Sequence, residues 1–266
     1  MINLPTVNNA VRETCLQVAD FIKKESTEFS RDKIEQKGFN DLVSYVDKES
    51  EQQIVNACKK ILPEAGFITE EGTETIRKEE YNWIIDPLDG TTNFTHGLPV
   101  YAISIALMQH DEIVAGVVHE VNRNECFHAV KGERAYCNEK VISVSPITEL
   151  NDSLLATGFP YYDFGQIEEY LRILNAFMQQ THGLRRLGSA AVDLAYVACG
   201  RFEGFFEFNL NAWDVAAGAF IVKQAGGLVT DFKGGSNYTF GREIIAGGPV
   251  QPQVTKVIQE FWKEKN

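Results

Sequence analysis

Along residues 6–24 the apolar positions Val7, Val11, Leu16, Ala19 and Ile22 recur at helical spacing and predict an amphipathic helix. Residues 48–62 predict a second helix, closed by Pro63 and Gly66. Short apolar runs follow at Trp83–Ile85, Tyr101–Met108, Ile113–Val118 and Cys126–Val130. Gly116, Gly132 and polar pairs punctuate them, as in an antiparallel meander. The second half alternates more. Strands are expected at Ser153–Thr157, Phe205–Phe208 and Leu228–Thr230. Helices are expected at Ile167–Met178, at Ala190–Cys199 before Gly200, at Val215–Gln224 before Gly226-Gly227, and at Val254–Lys263. Helices and strands mix throughout, so the class is α/β or layered α+β.

At 266 residues the chain is one large domain or two intimate halves. Its formal net charge of −12 argues against nucleic acid as a partner, because phosphate backbones want basic stripes. A small phosphorylated ligand stays possible where metal cations stand between it and the protein. Five widely spaced cysteines without a CxxC fit a reducing cytosol rather than a disulfide framework. The N-terminal residues lack the pattern of a signal peptide. The strongest apolar run, Val100–Met108, is far short of the ~20 residues that span a bilayer. A cytoplasmic protein without a membrane partner is expected.

Trp83-Ile84-Ile85 leads straight into Asp86-Pro87-Leu88-Asp89-Gly90. Proline at the second position of a four-residue turn favours type I or II geometry, which brings Asp86 and Asp89 within roughly 7 Å at Cα. Carboxylates that close repel unless a cation lies between them. Hard cations such as Mg2+ take carboxylate and carbonyl oxygens, and Leu88 has a carbonyl to offer. Gly90-Thr91-Thr92 follows, a run able to present backbone N–H groups to a phosphate where a helix begins. The same residues suit an ordinary surface turn. The preceding strand favours a site, since ligands of α/β sheets gather at strand carboxyl ends.

Two further acidic points stand apart in sequence. Glu70-Glu71-Gly72 follows the short run Phe67-Ile68 and by itself reads as a solvated pair. Asp214, ahead of a helical run, reads as an N-cap that can still spare an oxygen for a metal. Ala216, Ala217 and Gly218 predict a helix packed closely on its neighbours. Competing chemistries lack their motifs: there is no HExxH, no GxSxG and no GxxxxGK[ST]. Arg185-Arg186 could bind an anion or a partner, and with no other basic residues clustered nearby reads more simply as a surface or interface pair. Glu49-Ser50-Glu51 and Glu168-Glu169 read as solvated helix faces, and Phe205-Phe206-Phe208 as core strand.

Taken together, these segments resemble the inositol monophosphatase family. Asp86 to Pro99, DPLDGTTNFTHGLP, looks like that family's main signature, and Trp213 to Ala219, WDVAAGA, like its second. Lys37 to Ser44 with Asp47 resembles the N-terminal loop; RRLGSAAVDLAYVA from Arg185 and GRFEGFFE from Gly200 match in order and spacing. The likeness covers essentially the whole chain. It implies an αβαβα sandwich of the sugar-phosphatase type, one catalytic domain over 1–266. About 1–150 would be the metal-site half and about 151–266 the substrate-side half. A homodimer and lithium sensitivity are also implied.

The resemblance also assigns roles. Glu70, Asp86 and the Leu88 carbonyl would hold one Mg2+; Asp86, Asp89 and Asp214 a second; a third ion would sit near Glu70. Glu70 and Thr91 would orient and deprotonate the attacking water, beside Asp89 as a further catalytic residue. Gly90 and Thr91 would hold the phosphate, while Gly188, Ser189, Ala190 and Glu207, with Asp89 and Asp214, would contact substrate. Asp47 and Asp41 would order the loop that carries Lys37 over the site. The implied reaction is Mg2+-dependent hydrolysis of inositol monophosphate, by in-line attack of water without a covalent intermediate. Fructose 1,6-bisphosphate, histidinol phosphate and 3′-phosphoadenosine 5′-phosphate are the alternative substrates, and GTTN after Asp89 favours the inositol branch. A regulatory, partner-binding protein with secondary phosphatase activity is a second reading, and a Ca2+-binding structural module a third. One departure from the family pattern lies at Ala246-Gly247-Gly248-Pro249, where asparagine is expected; no substrate role is assigned to Gly158 to Tyr162.

Overall fold

The computed structural model describes residues 2–30, 34–38, 41–160 and 164–262. Helix α1 (Leu4–Glu28) opens on Asn3, whose side-chain oxygen accepts from the Thr6 N–H at 3.0 Å. It buries Val7, Val11, Cys15, Val18, Ala19 and Ile22. Leu16, placed on that stripe by spacing, is exposed; Cys15, about 100° away around the helix, takes the inward place. Strands β1 (Ile34–Gly38) and β2 (Asp41–Ser44) pair antiparallel. Asp41, expected on a loop, therefore pairs with Gly38, while Lys37 falls at the bulge between Gln36 and Gly38.

Helix α2 (Tyr45–Ile61) starts three residues earlier than its apolar pattern. Ser44 and Asp47 form a capping box: the Ser44 N–H donates to Asp47 Oδ2 at 2.8 Å, and the Val46 N–H donates to Ser44 Oγ at 3.1 Å. Such a cap satisfies donors that the first turn leaves open, and so moves the helix start upstream.

The larger sheet has seven strands in the order β3-β4-β5-β6-β7-β8-β9. Strand β3 (Gly66–Thr69) runs parallel to β4 (Tyr81–Asp89). From β4 the chain meanders antiparallel, as expected, through β5 (Ala102–Gln109), β6 (Glu112–Glu120), β7 (Glu125–Val130), β8 (Tyr136–Cys137) and β9 (Lys140–Val141). The smaller sheet has the order β11-β10-β12-β14-β13. Its strands are β10 (Leu154–Thr157), β11 (Gly183–Arg185), β12 (Gly204–Phe208), β13 (Leu228–Thr230) and β14 (Glu243–Gly247). The remaining helices are α3 (Thr91–Thr95), α4 (Ile167–Gln180), α5 (Ala190–Ala198), α6 (Ala212–Gln224) and α7 (Gln251–Phe261).

Three apolar clusters make the layering explicit. Trp83, Ile85, Ile103, Ile105 and Val117 face α1 and α2 on one side of the large sheet. Ile84, Ala106 and Val118 face α5 and α6 on the other, which also receive Phe205, Ile244 and Ala246 from the small sheet. Phe206, Phe208 and Ile245 face α4 and α7. The period-two alternation along each strand thus builds an αβαβα sandwich. Helix α6 is buried nearly all round because sheets cover both its sides. Close approach there needs small residues. A Cβ at Gly218 would lie 2.6 Å from Leu194 Cβ, and one at Gly116 3.0 Å from the Ala217 carbonyl. The departure at Gly248 has a local cause as well, since a side chain there would meet the Ser145 carbonyl at 2.5 Å.

Candidate active site

Strand β4 carries the main signature to the edge of the sandwich. Its pairing with β5 slips between Asp86 and Asp89, so the DPLD segment is a bulge inside the strand rather than the expected four-residue turn after it. The Leu88 N–H donates to Asp86 Oδ1 at 3.0 Å. Gly90 then adopts a left-handed conformation, φ +102°, beneath the Val100 carbonyl and Tyr101, and α3 begins at Thr91. A β-carbon at residue 90 would be strained and crowded at once.

Asp214 approaches from α6. It is not the N-cap that spacing implied: Asn211 caps, and Asp214, third in the helix, accepts the Asn211 N–H at 2.6 Å. The reciprocal box starts the helix two residues before the carboxylate. Asp89 is tied to α5, its Oδ2 accepting from Ser189 Oγ and from the Ala191 N–H, each at 2.6 Å. Asp86, Asp89 and Asp214 each offer an oxygen, all within 4.8 Å of one another.

Glu70 lies just past β3, its N–H donating to the Ile85 carbonyl at 3.2 Å, and it lines the same cleft. Glu51 holds this loop. Expected on a solvated face, it is instead fully buried, accepting from the N–H groups of Glu71 at 2.7 Å and Thr73 at 2.8 Å. Two backbone donors that bond a carboxylate hold the charge inside. Thr91 Oγ1 lies 2.8 Å from Asp47 Oδ1 and 3.1 Å from the Leu88 carbonyl. Asp47, buried, is thus both the α2 cap partner and the acceptor for Thr91.

Across the cleft stand Gly188, Ser189, Ala190 and Glu207. Asn93 Nδ2 donates to the Val100 carbonyl at 2.7 Å and the Leu187 carbonyl at 2.8 Å, joining α3 to the segment before α5. Every residue assigned to metal or substrate by resemblance lines this one cleft. Tyr161, Tyr162 and the side chains of Lys37 and Asp41 lie outside the described residues.

Two cleft residues escaped the sequence reading. Arg186, taken for a surface or interface charge, lines the cleft, holds its guanidinium 5.6 Å from the Phe159 ring centre, and acts electrostatically on Asp89, Asp193 and Glu207. Asp193 sits in α5 among buried Ala, Val and Leu. A lone acid in an apolar helix was the signal available for it.

The electrostatics follow from burial and crowding. Burial, then the charges of Glu70, Asp89 and Asp214, push the Asp86 carboxyl well above its ordinary range. Burial raises Asp89 to about 6 against the pull of Ser189, Ala191 and Arg186. Burial and Asp89 raise Asp214 to about 7. A cation among carboxylates that disfavour their own charge so strongly would relieve their repulsion. The donor set contains oxygen alone, and it suits a hard divalent ion rather than zinc or copper.

An αβαβα sandwich with an all-oxygen acidic cluster that could hold a cation is the class that this fold and cluster define. The model of the inositol monophosphatase family matches residues 3–265, and the chain belongs to that family. It is 46% identical over 219 residues to the Nus factor SuhB of Haemophilus influenzae, covering 81% of this chain and 82% of that one. The crystal structure of extragenic suppressor protein suhB from Bartonella henselae superposes with TM-score 0.91 at 38% identity, covering 96% of this chain and 99% of that one. Inositol monophosphatase from Anabaena gives 0.85 at 30% identity, over 98% of both chains.

Proposed function

We propose that the protein is a Mg2+-dependent phosphomonoesterase of small phosphorylated alcohols, with inositol monophosphate its leading substrate. The observation that carries this reading is the meeting of Asp86, Asp89 and Asp214 oxygens beside a Thr91 hydroxyl held on Asp47. Glu70, Asp86, the Leu88 carbonyl, Asp89 and Asp214 would hold two to three Mg2+ ions, which when bound supply positive charge for phosphoryl oxygens and a more acidic water.

The chain's own groups do the rest. Asp47 and the Leu88 carbonyl are both acceptors, so the Thr91 hydroxyl donates to one of them and turns its lone pairs outward. Those lone pairs accept from a water poised to attack, with Glu70 as the second acceptor. The first N–H groups of α3, next to Gly90, have no helical partner and face the phosphate. Gly188, Ser189, Ala190 and Glu207 receive the alcohol. The cleft has room for a small ligand, about 230 Å³. No side chain is asked to form a covalent intermediate. The chain acts as one catalytic domain, its first 150 residues giving most metal ligands and Asp214 reaching in from the rest. A cytoplasmic, lithium-sensitive homodimer accompanies this reading. Among the described residues no helix is long and apolar enough to cross a membrane.

Phosphate release from inositol 1-phosphate, fructose 1,6-bisphosphate, histidinol phosphate and 3′-phosphoadenosine 5′-phosphate tests it. Release should require Mg2+, vanish in EDTA and vanish in Asp89→Asn. A folded, Mg2+-binding protein that releases none would sink the reading. A second reading has its own support: relatives bear the name Nus factor SuhB, which is not a phosphatase name. If partner binding is the main role, Asp89→Asn keeps the biological effect while hydrolysis is lost.

A further inference from the structure

Asp193 is the cleft carboxylate to which nothing above gives a task. It is 1% exposed in α5, its Oδ1 has no hydrogen-bond partner among the described residues, and it lines the cleft. A buried acceptor left open in this way costs stability, and one that faces a binding cleft is completed by what enters it. Its neighbour is Glu207 of β12, 7% exposed. Glu207 is seated against the bare backbone of Gly158: a Cβ there would lie 2.0–2.1 Å from the carboxylate atoms. Two strands and a helix thus leave room for two acids on the wall opposite α3.

Charge then narrows what this wall accepts. Glu70, Asp86, Asp89 and Asp214 are committed to the cation site. Glu207 and Asp193 remain, and among the described residues that line the cleft Arg186 alone is cationic. The alcohol side therefore carries two acids, both pushed up by burial, against one guanidinium. Carboxylate oxygens accept hydrogen bonds. Hydroxyls of a leaving group supply the donors they lack. A second phosphoryl group supplies further acceptors and negative charge, and is repelled.

We propose that Asp193 is a specificity-determining residue: with Glu207 it takes hydrogen bonds from neighbouring hydroxyls of a neutral polyol leaving group and turns away substrates that carry a second phosphate. This rests on the phosphatase reading above.

The test compares wild type with Asp193→Asn, of equal size, and with Asp193→Ser, smaller and neutral, so that the outcome does not hang on one variant folding. Each is assayed on inositol 1-phosphate, on fructose 1,6-bisphosphate and on 4-nitrophenyl phosphate, whose leaving group has no alcohol hydroxyls. A lost hydrogen bond to a charged group predicts a fall of about 10- to 100-fold in kcat/KM for inositol 1-phosphate, mostly through KM. Turnover of 4-nitrophenyl phosphate should stay within about threefold, and the preference for monophosphate over bisphosphate should shrink by about tenfold or more. An equal fall on all three esters would show a structural role and overturn the proposal. An unchanged preference in folded variants would overturn it too. A wild-type protein inert towards every ester would refute the phosphatase reading, and the proposal with it.

Discussion

Replacing Asp214 by Asn should stabilise the protein when metal is withheld and weaken it when Mg2+ is present. Burial and the Asp89 charge move the Asp214 carboxyl from 3.8 to about 7. A carboxyl raised on folding holds its proton more tightly in the folded chain than in the unfolded one, so metal-free stability is lost as pH rises from 3.8 through 7. At about 1.36 kcal/mol per pH unit of difference, the charged form costs about 4 kcal/mol at pH 8. The side chain is partly exposed, and solvent screening brings this to about 2–4 kcal/mol. Asparagine keeps the oxygen that accepts from the Asn211 N–H and drops the charge.

In EDTA at pH 8 the variant should therefore melt roughly 4–16 °C above wild type, at about 2–4 °C per kcal/mol for a domain of this size. At pH 5 less than half of that gap should remain. Added Mg2+ should invert the order, since a ligand that binds only the folded state stabilises wild type and the variant has lost a ligand. Melting curves at pH 5 and pH 8, in EDTA and in Mg2+, give all four values. A metal-free variant that melts at or below wild type at pH 8, or a gap indifferent to pH, would refute the claim that crowded charge dominates this cluster.

Two other substitutions probe the supports of the site. Gly158→Ala drives a methyl into the Glu207 carboxylate; the free end of Glu207 should yield, so stability should fall by about 1 kcal/mol while KM for the alcohol substrate rises, and an unchanged KM would show that Glu207 does not contact substrate. Glu51→Ala leaves the Glu71 and Thr73 N–H groups unbonded, at about 1–3 kcal/mol each; a lower melting temperature with weaker Mg2+ binding by titration calorimetry is expected, and unaltered Mg2+ affinity would show that Glu70 does not depend on this brace.

Where local pattern and tertiary setting agree, the residues were legible in advance. The meander from Trp83 to Val130 was legible as short apolar runs, because each strand buries both faces against helices. Phe205, Phe206 and Phe208 alternate between the central and outer cores, as a strand run requires. The cleft residues around Asp86 and Thr91 were legible for another reason: their chemistry is packed into a few consecutive positions whose backbone needs Gly90. Helix starts were less legible. Ser44 with Asp47, and Asn211 with Asp214, begin their helices upstream of the apolar stripe, since a cap is a polar feature that hydrophobic spacing does not register.

Composition and order alone determined the mixed α/β class, the acidic balance, the close-packed helix at Ala216 to Gly218 and the acid-rich segment at Asp86 to Asp89. Tertiary structure alone decided which charges face inward. Glu51 and Glu49 are two residues apart on one helix, yet Glu51 turns inward to accept from the Glu71 and Thr73 N–H groups of a loop twenty residues away. Arg186 reads as a surface or interface charge and Asp193 has no assigned role until β12, α5 and the DPLD bulge stand around one cleft. The cost of burying a charge is fixed by what the rest of the chain brings within a few ångströms of it, and that is set by folding, not by neighbours in sequence.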